Sequence, residues 1–238
     1  MKSSNRGFTL VELSIVIVIV GLIIAGVTAG QTLVKQAQLR AILTQADQIR
    51  TAVNTFKSQY GGLPGDINNG SLYWSGCGVT GICDGNADKK IGTDLKNTDE
   101  QPEGYIAWWQ LNAAGVFPGT FTIPAADAGD ITGIIGTTIP AAKFPKAGIT
   151  LGYDTNQLTG IAINKNIALF GAAAASTYAG AAFLLPAQAS SLDVKADDGN
   201  AERGSIYGGA VADLAECEES GTYELGATTA TCTIAFAL

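Results

Sequence analysis

Gly7-Phe8-Thr9-Leu10-Val11-Glu12, opening onto Leu13-Ser14-Ile15-Val16-Ile17-Val18-Ile19-Val20, decides how the rest of this chain is read. Lys2 and Arg6 precede the glycine, and from Leu13 to Val34 there is no Lys, Arg, Asp or Glu. As a helix rising ~1.5 Å per residue, about 20 such residues span the hydrocarbon core of a bilayer. The two basic residues hold the leading end in the cytoplasm, so the chain beyond the apolar run crosses outward. Glu12 is out of place at the head of this run: a carboxylate inside a bilayer costs about 2.5–3.5 kcal/mol even on lenient insertion scales. A buried carboxylate is relieved most cheaply by an opposite charge, so Glu12 asks for a partner.

The run Gly7-Phe8-Thr9-Leu10-Val11-Glu12-Leu13 behind a short basic leader resembles the N-terminus of type IV prepilins and type II secretion pseudopilins. The resemblance implies that a prepilin peptidase cuts between Gly7 and Phe8 and that Phe8 becomes the N-methylated first residue. It also implies that Glu12 meets the amine of a neighbouring subunit's Phe8 as an inner-membrane assembly platform builds pilin-like subunits into a helical filament. Residues 1–7 are then a leader. Residues 8–60 form an N-terminal helix, with 8–30 spanning the membrane, and 61–238 a globular head. The protein would lie in the inner membrane of a Gram-negative-type bacterium, single-pass and in contact with lipid, with its head in the periplasm. The filament would remain in the periplasm or reach the cell surface. Three other readings compete: a plain anchor, a buried core helix, and a secretory signal peptide cut after Val27-Thr28-Ala29. Glu12 and the length of the apolar run argue against the signal peptide.

The chain has 238 residues, which leaves roughly 180 for a head with a real core. Its formal charge is −7, and −9 without Lys2 and Arg6. That balance excludes a bulk electrostatic grip on nucleic acid. There is no His, so neither a Ser-His-Asp nor a Cys-His arrangement exists. Nucleophile-elbow and phosphate-loop signatures are also missing, and no enzymatic activity is expected. Four cysteines, Cys77, Cys83, Cys217 and Cys232, read as disulfides in an exported domain. Three pairings are possible, and the two local ones are preferred. The Cys217–Cys232 pair would close a loop of about 15 residues, worth on the order of 3 kcal/mol in the chain-entropy model. It resembles the C-terminal disulfide loop of many type IV pilins.

Beyond the apolar run, Leu39, Ile42, Ala46, Ile49, Val53, Phe56 and Tyr60 recur at steps of three and four, predicting one apolar helix face. Gln45 and Arg50 fall largely among the residues of the other faces. Gly61-Gly62 and Pro64 predict the helix end, and Tyr60-Gly61-Gly62-Leu63-Pro64-Gly65-Asp66 resembles the helix exit of one subgroup of prepilin-like proteins. Residues 65–100 read as a loop. Thr98 and Gln101 make a capping box for a helix from Glu103 to Ala114, whose Trp108 and Trp109 are expected to pack the head on the stalk. Strands follow: Ile149, Leu151 and Tyr153 alternate, and 158–163 with 167–170 suggest a hairpin about Asn164-Lys165-Asn166. A short helix over 186–196 and a last strand over 231–236 complete an α+β expectation. In it a long N-terminal helix, transmembrane then amphipathic, packs on a mainly antiparallel sheet with short helices and disulfide-stapled loops.

Two acidic groups bear on ligands. Asp84, Asn86 and Asp88, with the Lys90 carbonyl, reproduce the first half of a calcium loop, which Asp94, Glu100 or Glu103 would have to close. An EF-hand wants Gly where Lys89 stands and Glu where Leu95 stands, so a solvated Asx-turn loop is the competing reading. Asp193, Asp197 and Asp198 read as a solvated helix end. Calcium is thus the one cofactor in view. The functional expectation is a filament subunit. Its rival is a membrane-tethered surface adhesin or ligand-binding module that borrows this N-terminus.

Overall fold

Helix α1 (Leu10–Tyr60) runs unbroken over 51 residues. A computed structural model describes residues 9–77, 83–92, 103–123, 133–155, 163–173, 179–209 and 217–238. The chain falls into two units, Met1–Arg40 and Ala41–Leu238, and the fold is α+β.

In the first unit, the apolar side chains from Leu10 to Val34 are exposed. Among the described residues α1 is the one helix long and apolar enough to cross a membrane. Its few hydroxyls are satisfied within the helix: Ser14 Oγ donates to the Val11 carbonyl at 2.8 Å and Thr28 Oγ1 to the Ala25 carbonyl at 3.0 Å. In lipid, where no water replaces a missing partner, that closure is required.

In the second unit, Ile42, Ala46, Ile49, Val53 and Phe56 of α1 are buried as the seam predicts. Gln45 and Arg50 also turn to the head. The buried Gln45 amide donates to the Ala141 carbonyl (2.9 Å) and accepts the Lys143 N–H (2.8 Å). The Arg50 guanidinium donates twice to the Ala237 carbonyl, at 3.0 and 3.1 Å. Gly61, at φ +78°, stops the helix with its N–H on the Lys57 carbonyl.

Strands β1 (Ala147–Asp154), β2 (Lys165–Ala172), β3 (Ile206–Gly209) and β6 (Thr233–Ala237) form an antiparallel sheet in the order β1-β2-β6-β3. Strands β4 (Glu218–Glu219) and β5 (Thr222–Tyr223) make a separate small hairpin. Ile167, Ala168, Leu169 and Phe170 of β2 are all buried although successive side chains point to opposite faces, so the sheet is covered on both sides. Among the described residues the other helices are α2 (Gly70–Tyr73), α3 (Glu103–Ala113), which packs on β1, and α4 (Pro186–Ala196), which packs on β3, and a 3₁₀ turn spans Ser75–Cys77.

The expected hairpin about Asn164-Lys165-Asn166 is not formed. The partners of Ile167–Phe170 are β1, with Ile149 opposite Phe170 and Asp154 opposite Lys165, and β6 on the other edge, with Ile234 opposite Phe170. Lys165 and Asn166 therefore open β2 and make no turn. With β1 on one edge of β2 and β6 on the other, β2 has no free edge for a further strand. Most of the stretch 158–163 and the expected Thr98–Gln101 capping box lie outside the described residues.

Candidate functional site

Gly7 and Phe8 lie outside the described residues. Thr9 immediately precedes α1, and Glu12 is the third helical residue. The Thr9 N–H and hydroxyl donate to Glu12 Oε2 at 2.9 and 2.8 Å, and the Glu12 N–H donates back to Thr9 Oγ1 at 3.2 Å. This is a capping box, and a carboxylate there also faces the positive end of the helix dipole. The Thr9-x-x-Glu12 spacing of this box is legible in the sequence itself. The carboxylate is thus held at the tip of α1, on the N–H and hydroxyl of Thr9.

In the head, the helix exit, the Asn/Asp-rich loop and the start of α3 converge. Asp66 follows Gly65 (φ +86°), and Ala87 and Lys89 adopt left-handed backbone at φ +60° and +70°. The Gly85 N–H binds the Ile67 carbonyl (2.7 Å) and the Ala87 N–H the Asp66 carbonyl (2.8 Å). Gln110 of α3 accepts the Gly65 N–H (2.6 Å) and donates to the Cys83 carbonyl (2.7 Å). Glu103 accepts N–H groups from Asn86 at 3.0 Å and Gly92 at 2.6 Å, while Asp66 Oδ2 accepts the Lys89 N–H at 3.0 Å. One carboxylate oxygen each from Asp66, Asp88 and Glu103 lies within 4.8 Å of the others. Burial pushes the Glu103 carboxyl up to about 7, against the pull of its two N–H donors and with a further push from Asp66 and Asp88. Asp66 is raised for the same first reason, burial.

The sequence-derived ligand set is rearranged here. Asp84 turns to the N–H and hydroxyl of Ser71, both at 2.8 Å. Asn86 Oδ1 takes the Asp88 N–H at 2.9 Å, and Asp88 Oδ1 the Lys90 N–H at 2.8 Å, two successive Asx turns. Asp88 and Glu103 meet as that reading required. Asp66 joins them from 22 residues upstream of Asp88, where the sequence signalled only a helix exit.

Asp193, Asp197 and Asp198 form a second group, but not a solvated helix end. Asp193 is fully buried, accepts the Tyr223 hydroxyl at 2.9 Å and the Gly199 N–H at 3.2 Å, and is pushed up to about 6 by burial. Asp197 Oδ2 takes the Ser205 and Ile206 N–H groups, and Asp198 that of Asn200. These carboxylates shape the turn between α4 and β3. Because the folded Asp193 carboxyl holds its proton above its ordinary value of 3.8, stability from this group is complete at low pH and lost as pH rises through about 6. Asp193→Asn keeps an acceptor for Gly199 and a donor for the Tyr223 oxygen. Denaturation midpoints from pH 4 to 7 should therefore show a shallower decline in the variant than in the native chain; parallel profiles would remove Asp193 as the source. Comparing the two profiles subtracts the titrations of Glu103, Asp66 and Glu218, which share the raised direction.

Trp108 of α3 is fully buried against Phe117 and Phe121, while Trp109 packs edge-on to Trp74, 5.9 Å between ring centres. Cys217 and Cys232 are joined in a disulfide. Cys83 is also disulfide-bonded and buried; the Cys77 side chain lies outside the described residues.

Residues 2–28 match the family model described as the prokaryotic N-terminal methylation motif. The chain is 38% identical over 56 residues to each of three sequences of the type IV major fimbrial protein FimA of Dichelobacter nodosus. The match covers 23% of this chain and 35–36% of those proteins, so the chain spans about a third of the length of the curated relatives it matches. No solved structure matches it.

Proposed function

From its N-terminal methylation motif and its 56-residue likeness to a type IV major fimbrial protein, we propose that this chain is a pilus subunit, cut after Gly7 by a prepilin peptidase and assembled from the inner membrane into a type IV pilus. The observation that carries this reading is the methylation motif over residues 2–28, set on a helix whose apolar side chains from Leu10 to Val34 are exposed all round. Such a helix is at home in lipid and equally in a bundle of its copies, because between apolar helices packing decides association. Before assembly the head stands in the periplasm. Cleavage creates an amine at Phe8, and in the filament Glu12 of one subunit neutralises the Phe8 amine of the next. The capping box fixes where that carboxylate points before a neighbour arrives. A surface pilus is favoured over a periplasmic pseudopilus by the fimbrial name of the relatives and by the closed Cys217–Cys232 loop.

Intact mass and N-terminal sequencing of the protein from a host with a prepilin peptidase test the processing. A chain starting at Phe8, with or without one added methyl, is the expected result; a start at Met1 or Gly30 overturns it. Glu12→Gln then separates charge from capping. The amide still accepts the Thr9 N–H, so insertion and cleavage should proceed. Filament yield should fall by more than about tenfold, since an uncompensated buried charge costs about 3–5 kcal/mol. Normal filaments from Glu12→Gln would remove the charge pair from assembly.

A further inference from the structure

We propose that Asp66, Asp88 and Glu103 hold a hard divalent cation, Ca²⁺, at the junction of the helix exit, the Asn/Asp-rich loop and α3. One oxygen from each lies within 4.8 Å of the other two. Oxygens bound to Ca²⁺ at about 2.3–2.6 Å lie no more than about 5 Å apart, so one ion reaches all three.

Acidic side chains gather on many surfaces without an ion, and a second observation sets this group apart. Asp66 is 4% exposed, and among the described residues its Oδ1 has no hydrogen-bond partner while Oδ2 binds the Lys89 N–H. A buried carboxylate oxygen left bare is costly. Among the described residues no lysine or arginine forms an ion pair with any of the three carboxylates. The adjacent Lys90 ammonium lies over the Tyr153 ring, 4.7 Å from its centre. A cation supplies the missing partner of Asp66 and offsets the mutual repulsion of three carboxylates. The Asp193 group makes the contrast, because both oxygens of its buried member are already bonded.

The donors choose the ion. Carboxylate oxygens suit Ca²⁺ or Mg²⁺ over softer metals, the chain has no His, and no cysteine is free among the described residues. Ca²⁺ takes six to eight oxygens in adaptable geometry, whereas Mg²⁺ demands a tight octahedron and keeps its waters. A site assembled from three separate segments, two of its carboxylates buried and one exposed, fits the more adaptable ion.

The test uses the full chain in detergent, melted in 1 mM CaCl₂, 1 mM MgCl₂ or EDTA at pH 7.5. Binding only the folded form raises the melting temperature. The native chain should melt several degrees higher in Ca²⁺ than in EDTA, with a smaller shift in Mg²⁺. Asp88→Asn is the informative variant: Asp88 is exposed, and an asparagine Oδ1 still accepts the Lys90 N–H, so folding in EDTA is preserved. Its Ca²⁺ shift should fall below half the native value, and Glu103→Gln should abolish the shift. Equal melting of the native chain in Ca²⁺ and EDTA overturns the proposal, as does a shift that Asp88→Asn retains in full. A Mg²⁺ shift as large as that of Ca²⁺ overturns the choice of ion. None of these outcomes depends on whether the chain forms filaments.

Discussion

Gly65→Ala is expected to destabilise the head by about 2–5 kcal/mol, the sum of about 1–2 kcal/mol for left-handed backbone and about 1–3 kcal/mol for overpacking. The backbone share follows from φ +86° at this position. The packing share follows from what a new methyl would meet: the backbone carbonyl of Glu103, and the Ala107 side chain at 3.1 Å. A flexible side chain could step aside; the first turn of α3 cannot without moving as a whole. Such a movement would carry Glu103 away from Asp66 and strain the bond from the Gly65 N–H to Gln110. Gly61→Ala is the matched control, with φ +78° and open space around the added methyl. It should cost only the backbone share. Denaturant titration of both variants decides the matter: equal losses would mean that the close approach of residue 65 to α3 contributes nothing.

The same junction shows how far the sequence could be read. Apolar periodicity predicted the buried face of α1 because Ile42, Ala46, Ile49, Val53 and Phe56 are spaced by the helix itself. The short helix expected over 186–196 is α4, with Pro186 in its first turn, where a missing N–H costs nothing. The strand expected over 231–236 is met by β6. Each is a local signal within one element. What escaped depended on chain segments distant in sequence. Gln45 reads as surface until the carbonyl of Ala141 and the N–H of Lys143 arrive to satisfy its amide. Asp193 reads as solvated until Tyr223 covers it. Two of the three carboxylates were legible, since Asp88 lies in a recognisable loop and Glu103 at a helix start, but Asp66 joins only through the fold of the helix exit. Strand pairing failed for a related reason: 158–163 and 147–154 are both plausible neighbours for β2, and nothing local ranks them.

Replacing Cys217 and Cys232 together by alanine should cost about 3 kcal/mol, the chain-entropy value for a loop of this length, or about 6–12 °C in melting temperature for a domain of this size. The two residues are 15 apart in sequence and both buried. Cys232 exchanges backbone hydrogen bonds with Leu184, its N–H on the Leu184 carbonyl at 3.0 Å, and leads directly into β6. Cys217 leads into β4, and its carbonyl accepts the Glu224 N–H just beyond β5. The disulfide therefore ties the small β4–β5 hairpin to the base of the main sheet. That hairpin carries Tyr223, which is packed over Gly208 of β3 with its hydroxyl on Asp193 of α4. Two-residue strands bury too little to hold this position alone. The loss should consequently be uneven: amide exchange in the double variant should accelerate over 217–225 well before it does in β1 and β2, whose eight-residue pairing the disulfide does not touch. The downward pH trend attributed to Asp193 should weaken in the same variant, because a hairpin that opens returns water to that carboxyl. Native-like exchange across the hairpin, or a midpoint within about 1 kcal/mol of the parent, would show that Tyr223 and the backbone ladder hold the C-terminal loop without the covalent tie.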